Sequence, residues 1–153
     1  MIDPIELSLS KNLYKANIKS KNWQDALRET AEILEANNCI TKNYVEKIIE
    51  DSFKLNFYYV IGENIAIPHT SPEFGAIKTS IAITTSKNGI YFENHEFNPV
   101  KVIFMISVLK TDDHIDFIMK IADILQNRDF IYNLSNCMND NELKNVLSNH
   151  IKN

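Results

Sequence analysis

Residues Val100 to Leu109 constrain the fold more than any other stretch. They are almost continuously apolar, broken only by Lys101 and Ser107. Such a run is far too short to cross a bilayer. A strand with one face in water would alternate apolar and polar residues; an unbroken run belongs to a central strand covered on both faces. The chain must therefore supply helices to cover a sheet. With 153 residues, 44% of them hydrophobic and 24% charged, it can build the core of one ordinary domain without disulfides or a metal.

The rest of the chain supplies those parts. Ile5, Leu7 and Leu9 alternate with polar residues and predict a short extended segment. Leu13 to Ile18 predicts a second, stronger strand. Trp23, Ala26, Leu27, Thr30, Ala31 and Leu34 recur at helical spacing, with Asn22 placed to cap the start and Asn37-Asn38 to close the end. Thr41 opens a second helix with Tyr44, Val45, Ile48 and Ile49 as its stripe, ending near Phe53. Phe57 to Ile61 is aromatic and β-branched and reads as extended chain. Ile65, Ala66 and Ile67 form a short buried strand. Ile77 to Thr85 reads as a strand, Lys87-Asn88-Gly89 as a turn, and Ile90 to Phe92 as a short strand or edge. Asp112-Asp113 caps a helix in which His114, Ile118, Ile121, Ala122 and Leu125 share one face. Phe130 to Leu134 is a short helix, and Asn139-Asp140 caps a last one through Leu143, Val146, Leu147 and Ile151. This order predicts one mixed α/β domain over residues 1–153, with helices covering a sheet.

Several function classes fall away. The formal charge of −4 gives no field that would attract nucleic acid or an anionic membrane. Cys39 and Cys137 lie far apart, outside any metal-ligand or redox spacing, as expected of reduced thiols in a cytoplasmic protein. Residues 1–10 contain Asp3 and Glu6 and no long apolar core, so no signal peptide is expected. No G-x-S-x-G is present, and with only three glycines the chain has no phosphate cradle of the P-loop or G-x-G-x-x-G kind. His69, His95, His114 and His150 show no i, i+3 or i, i+4 pair, so neither a metal nor another cofactor is expected.

What remains centres on Gly62 to Gly75. Two of the three glycines and two of the four prolines fall there. Pro68 ends the short strand because it cannot donate to a ladder. His69 follows at the strand's lip, and Thr70-Ser71-Pro72 is turn chemistry. A neutral imidazole is a nucleophile near pH 7. It can form an N–P bond, and the resulting charge could be borne by a second imidazole or by helix N–H groups. His114, at a predicted helix N-terminus, offers both.

With those residues in view, the chain resembles enzyme IIA of the phosphoenolpyruvate-dependent sugar phosphotransferase system, in the fructose/mannitol-type class and nearest its ascorbate-type branch. The signature is Gly-x-x-Ile-Ala-Ile-Pro-His, here Gly62 to His69. Further landmarks follow in order: Trp23-Gln24-Asp25-Ala26, Phe57 to Ile61, Pro72-Glu73-Phe74-Gly75, Phe92, Asn98-Pro99-Val100, and His114 at its helix. The resemblance covers about Leu13 to Leu147. It implies a three-layer α/β/α sandwich with a mixed sheet of about four to five strands. It also implies that His69 accepts a phosphoryl group from the phosphohistidine of HPr and passes it to a cysteine of enzyme IIB, while membrane enzyme IIC moves the sugar. His114 would stabilise the phosphoryl group, with Thr70 and Ser71 as further contacts. The alternative it leaves is a free-standing regulatory domain read out by phosphorylation. The chain departs from the family in two places. Ser71 stands where ascorbate-type members often carry Arg, and residues 50–56 lack the Arg-Glu pair usual in the fructose/mannitol branch.

Overall fold

The computed structural model describes residues 3–93, 95–109 and 114–153, and only the backbone of His114. Its centre is a five-stranded mixed sheet in the order β1-β4-β5-β3-β2. The strands are β1 (Tyr14–Lys15), β2 (Val60–Gly62), β3 (Ile65–Ala66), β4 (Ser80–Ile90) and β5 (Val100–Ser107). The apolar run is the middle strand, as its composition requires. β5 pairs antiparallel with β4 and parallel with β3.

The pleat divides the apolar residues between two cores. Ala82, Ile103 and Met105 face one side, packed with Trp23, Leu27 and Leu34 of α2 (Trp23–Ala36) and Tyr44 and Ile48 of α3 (Lys42–Ser52). Ile81, Ile83, Val102, Phe104 and Ile106 face the other. That side is covered by α1 (Pro4–Ser10), α4 (His114–Leu125), α5 (Arg128–Ser135) and α6 (Asp140–Lys152). The result is the three-layer α/β/α sandwich. Asn22 and Asn139 cap their helices as their positions predict, and Asn127 adds a cap to α5; each accepts an N–H of the helix it precedes. Asn38 closes α2 in the left-handed region at φ 57°.

Four local expectations are corrected. The segment with Ile5, Leu7 and Leu9 is a helix: Asp3 accepts the N–H groups of Ile5 and Glu6, and Pro4 sits in the first turn where its missing N–H costs nothing. Phe57 to Tyr59 is turn; Asn56 and Phe57 take positive φ so that Phe57 can pack against Trp23 and Phe92. The residues 87–89 do not end a strand. β4 runs through them, and a bulge between Thr85 and Ile90 absorbs the extra length against β5. In α4 the buried face is Phe117, Ile121 and Ile124, whereas Ile118 and Ala122 are exposed. The predicted cap at Asp112-Asp113 lies outside the described residues.

Candidate functional site

The site is assembled by the end of β3. Ile65 and Ala66 lie between β2 and β5. The pairing continues past the strand: Ile67 N–H donates to Tyr59 O at 2.8 Å, and Ile106 N–H donates to Pro68 O at 3.1 Å. Pro68 then ends the ladder, and His69 emerges half-buried at the C-terminal end of β3. Its ring turns back on its own chain, with Nδ1 2.6 Å from Ile67 O. A carbonyl only accepts, so Nδ1 carries the proton and Nε2 keeps its lone pair.

Two tyrosines hold the backbone here. Tyr44 of α3 donates its hydroxyl to Ile106 O at 2.6 Å and accepts Thr70 N–H at 3.2 Å. Tyr58, in the turn before β2, donates to His69 O, and its ring meets the imidazole edge to face at 5.4 Å. Burial raises both phenols to about 12, so each stays a protonated donor at neutral pH. Sequence reading missed both as site residues. For Tyr44 the available signal was a phenol on a buried stripe, which needs a hydrogen-bond partner.

Gly75 sets the other wall. It ends the 3-10 turn Pro72–Phe74 at φ 135°, and its carbonyl accepts Thr41 N–H at 2.8 Å. A Cβ there would lie 2.2 Å from Thr41 Oγ1, so only glycine lets the turn seat against the start of α3.

His69, Thr70 and Ser71 line one cleft of about 750 Å³. Its floor and walls are mostly apolar: Ile67, Ile106 and Val108 at the ends of the strands, and Ile118, Ala122 and Leu125 of α4. The α4 stripe predicted from sequence therefore faces the cleft. Thr70 is half-buried, and Ser71 is exposed without a side-chain capping bond to the 3-10 turn. His114 opens α4 as predicted, one turn before Ile118, but its side chain lies outside the described residues. Neither arginine reaches the cleft. Arg28 pairs with Glu46 at 3.0 Å, and Arg128 lines a separate hollow beside Gly62 and Asn64. His95 and His150 lie elsewhere, against Phe97 and Phe130. Among the described residues no three His, Cys, Asp or Glu side chains gather to hold a metal ion. No helix of the described residues is long and apolar enough to cross a membrane.

The sequence pattern of one family, described as "Phosphoenolpyruvate-dependent sugar phosphotransferase system, EIIA 2", matches residues 7–150. The chain belongs to that family. It is 28% identical over 129 residues to the mannitol-specific cryptic phosphotransferase enzyme IIA component of Escherichia coli K12, covering 84% of this chain and 87% of that one. The solution structure of the E. coli mannitol-specific cryptic enzyme IIA superimposes with a TM-score of 0.81 at 26% identity, over 92% of this chain and 98% of that one. The ascorbate-specific EIIA component of Shigella boydii is 24% identical over 142 residues, 92% of each chain. The same fold recurs in E. coli mannitol enzyme IIA, solved in complex with phosphorylated enzyme IIB. That match has a TM-score of 0.72 at 22% identity, over 90% of this chain and 94% of that one. Membership makes this EIIA chain a phosphotransferase component of sugar uptake.

Proposed function

We propose that this EIIA chain carries the phosphoryl group on Nε2 of His69. The observation behind the reading is the hydrogen bond from Nδ1 to Ile67 O, which leaves Nε2 as the nucleophilic nitrogen on a cleft-lining histidine. The donor is the phosphohistidine of HPr. As its N–P bond breaks, the electron pair returns to the leaving nitrogen, and the Nε2 lone pair forms the new bond to phosphorus. No proton moves. Nδ1 keeps its hydrogen, and the Ile67 carbonyl, accepting from Nδ1–H, stabilises the positive charge that grows on the ring. In the next step a cysteine thiolate of enzyme IIB attacks phosphorus, the Nε2–P bond breaks, and its electron pair returns to His69.

The dianionic phosphoryl group needs compensation. The start of α4 favours negative charge, and His114 stands at that start. Thr70 and Ser71 line the same cleft and can donate hydroxyls. The wide apolar mouth suits a protein surface better than a free sugar, in keeping with HPr and enzyme IIB as partners and enzyme IIC as an indirect one. The whole chain, residues 1–153, acts as one EIIA domain of the cytoplasm and needs no cofactor.

Incubation with enzyme I, HPr and phosphoenolpyruvate should add one acid-labile phosphate, and His69→Ala should abolish it. Labelling that persists in His69→Ala would refute the assignment. His114→Ala should still accept phosphate, at a reduced rate.

A further inference from the structure

We infer that Tyr58 is a positioning residue that selects which nitrogen of His69 is free. The inference rests on the reading of His69 above. Tyr58 touches His69 twice: its hydroxyl donates to the His69 carbonyl, and its ring packs edge to face on the imidazole. The ring's own bond, from Nδ1 to Ile67 O, requires the chain from 67 to 69 to curl back on itself. That curl has few holds nearby. Ile67 N–H is fixed by Tyr59 O and Pro68 O by Ile106 N–H, and Pro68 has no N–H to give. Beyond it, Thr70 N–H is held by Tyr44. Tyr58 supplies the bond to the His69 carbonyl and fixes one face of the imidazole.

A hydroxyl that merely filled a core would look different. Tyr59, the next residue, shows that case: it is fully buried and its hydroxyl bonds Ser52 at 2.7 Å. Tyr58 instead lies partly exposed on the cleft beside His69, with no described partner for its hydroxyl other than the His69 carbonyl. Without that hydroxyl the peptide after His69 is held on its N–H side alone, by Tyr44, and the ring loses the contact that keeps it from swinging toward solvent. In water the Nε2–H tautomer of histidine is the commoner one, and it has no lone pair on Nε2. Tyr58 thus acts on the nucleophile through its orientation, without contacting phosphorus.

The test compares wild type, Tyr58→Phe and Tyr59→Phe, each labelled with ¹⁵N in the histidine rings. Long-range ¹H–¹⁵N spectra report the His69 tautomer in the unphosphorylated protein, and a quench assay gives the rate of phosphoryl transfer from phospho-HPr. Tyr58→Phe should raise the share of the Nε2–H tautomer and slow transfer up to about a hundredfold, the scale expected for a misplaced reacting group. Tyr59→Phe should lose stability yet keep the wild-type tautomer and rate. Wild-type tautomer and rate in Tyr58→Phe would overturn the inference, as would equal changes in both variants. A wild-type protein that takes no phosphate at all would instead refute the reading of His69, while the tautomer spectra would still decide the role of Tyr58.

Discussion

A main-chain carbonyl two residues back accepts from Nδ1 of His69 and leaves Nε2 with its lone pair, and a few side chains hold the backbone around that ring. Tyr44 ties Thr70 N–H to the edge of β5 through one hydroxyl. Tyr44→Phe keeps the ring and strands Ile106 O and Thr70 N–H, a loss of about 1–3 kcal/mol by the usual cost of unsatisfied buried polar groups. Urea unfolding of the variant and wild type measures it. Gly75 works on the same wall by being small. Gly75→Ala would put a methyl 2.2 Å from Thr41 Oγ1 at a φ of 135°. It should cost upward of about 1 kcal/mol, since both the space and the dihedral oppose it, and thermal melting should show a lowered Tm. The signature residues, His69 among them, were legible because strand, proline and histidine stand in order in the sequence. Tyr58 and Tyr44 were not, because a hydroxyl's partner is set by tertiary geometry.

At the scale of elements, composition told most where burial alone decides the outcome. The continuous run of β5 and the stripe of α2 have one way to hide their apolar residues, and both form as expected. Local hydrogen bonding misled where it overrode pattern. Asp3 and Pro4 turned an alternating segment into α1, and a bulge carried β4 through Lys87-Asn88-Gly89. α4 is the instructive case. Its Ile118, Ile121, Ala122 and Leu125 do share a face, but that face is split between core and cleft. Ile118 is 42% exposed on the cleft wall, so its apolar side chain is kept at some cost in solvation. Ile118→Glu should leave stability within about 0.5 kcal/mol, as surface changes do. It should nevertheless weaken docking, seen as a raised KM for phospho-HPr with a smaller change in kcat. An unchanged KM would remove α4 from the docking face.

Across the whole molecule, the two cores place three phenols under or beside the site. Burial raises Tyr44 and Tyr58 to about 12, and it raises Tyr59 as well. In the unfolded chain these groups ionise near pH 10. The folded state binds the extra protons, so the contribution of Tyr44 and Tyr58 to stability is complete below pH 10 and is lost as the pH rises through about 12, with Tyr59 acting in the same direction. The urea midpoint should therefore fall over that window, and more steeply in wild type than in Tyr44→Phe. The fold thereby gives the site two tyrosine donors, Tyr44 and Tyr58, that stay protonated throughout the neutral range beside the end of β5.

The proposed carrier is Nε2 of His69, with Nδ1 keeping its proton. This is tested most directly by ¹⁵N and ³¹P spectra of the ring-labelled protein after phosphorylation by phospho-HPr. The expected product is a single phosphohistidine with phosphorus bonded to Nε2 of His69 and a retained Nδ1–H. Phosphorus on Nδ1, or on any residue other than His69, would contradict it.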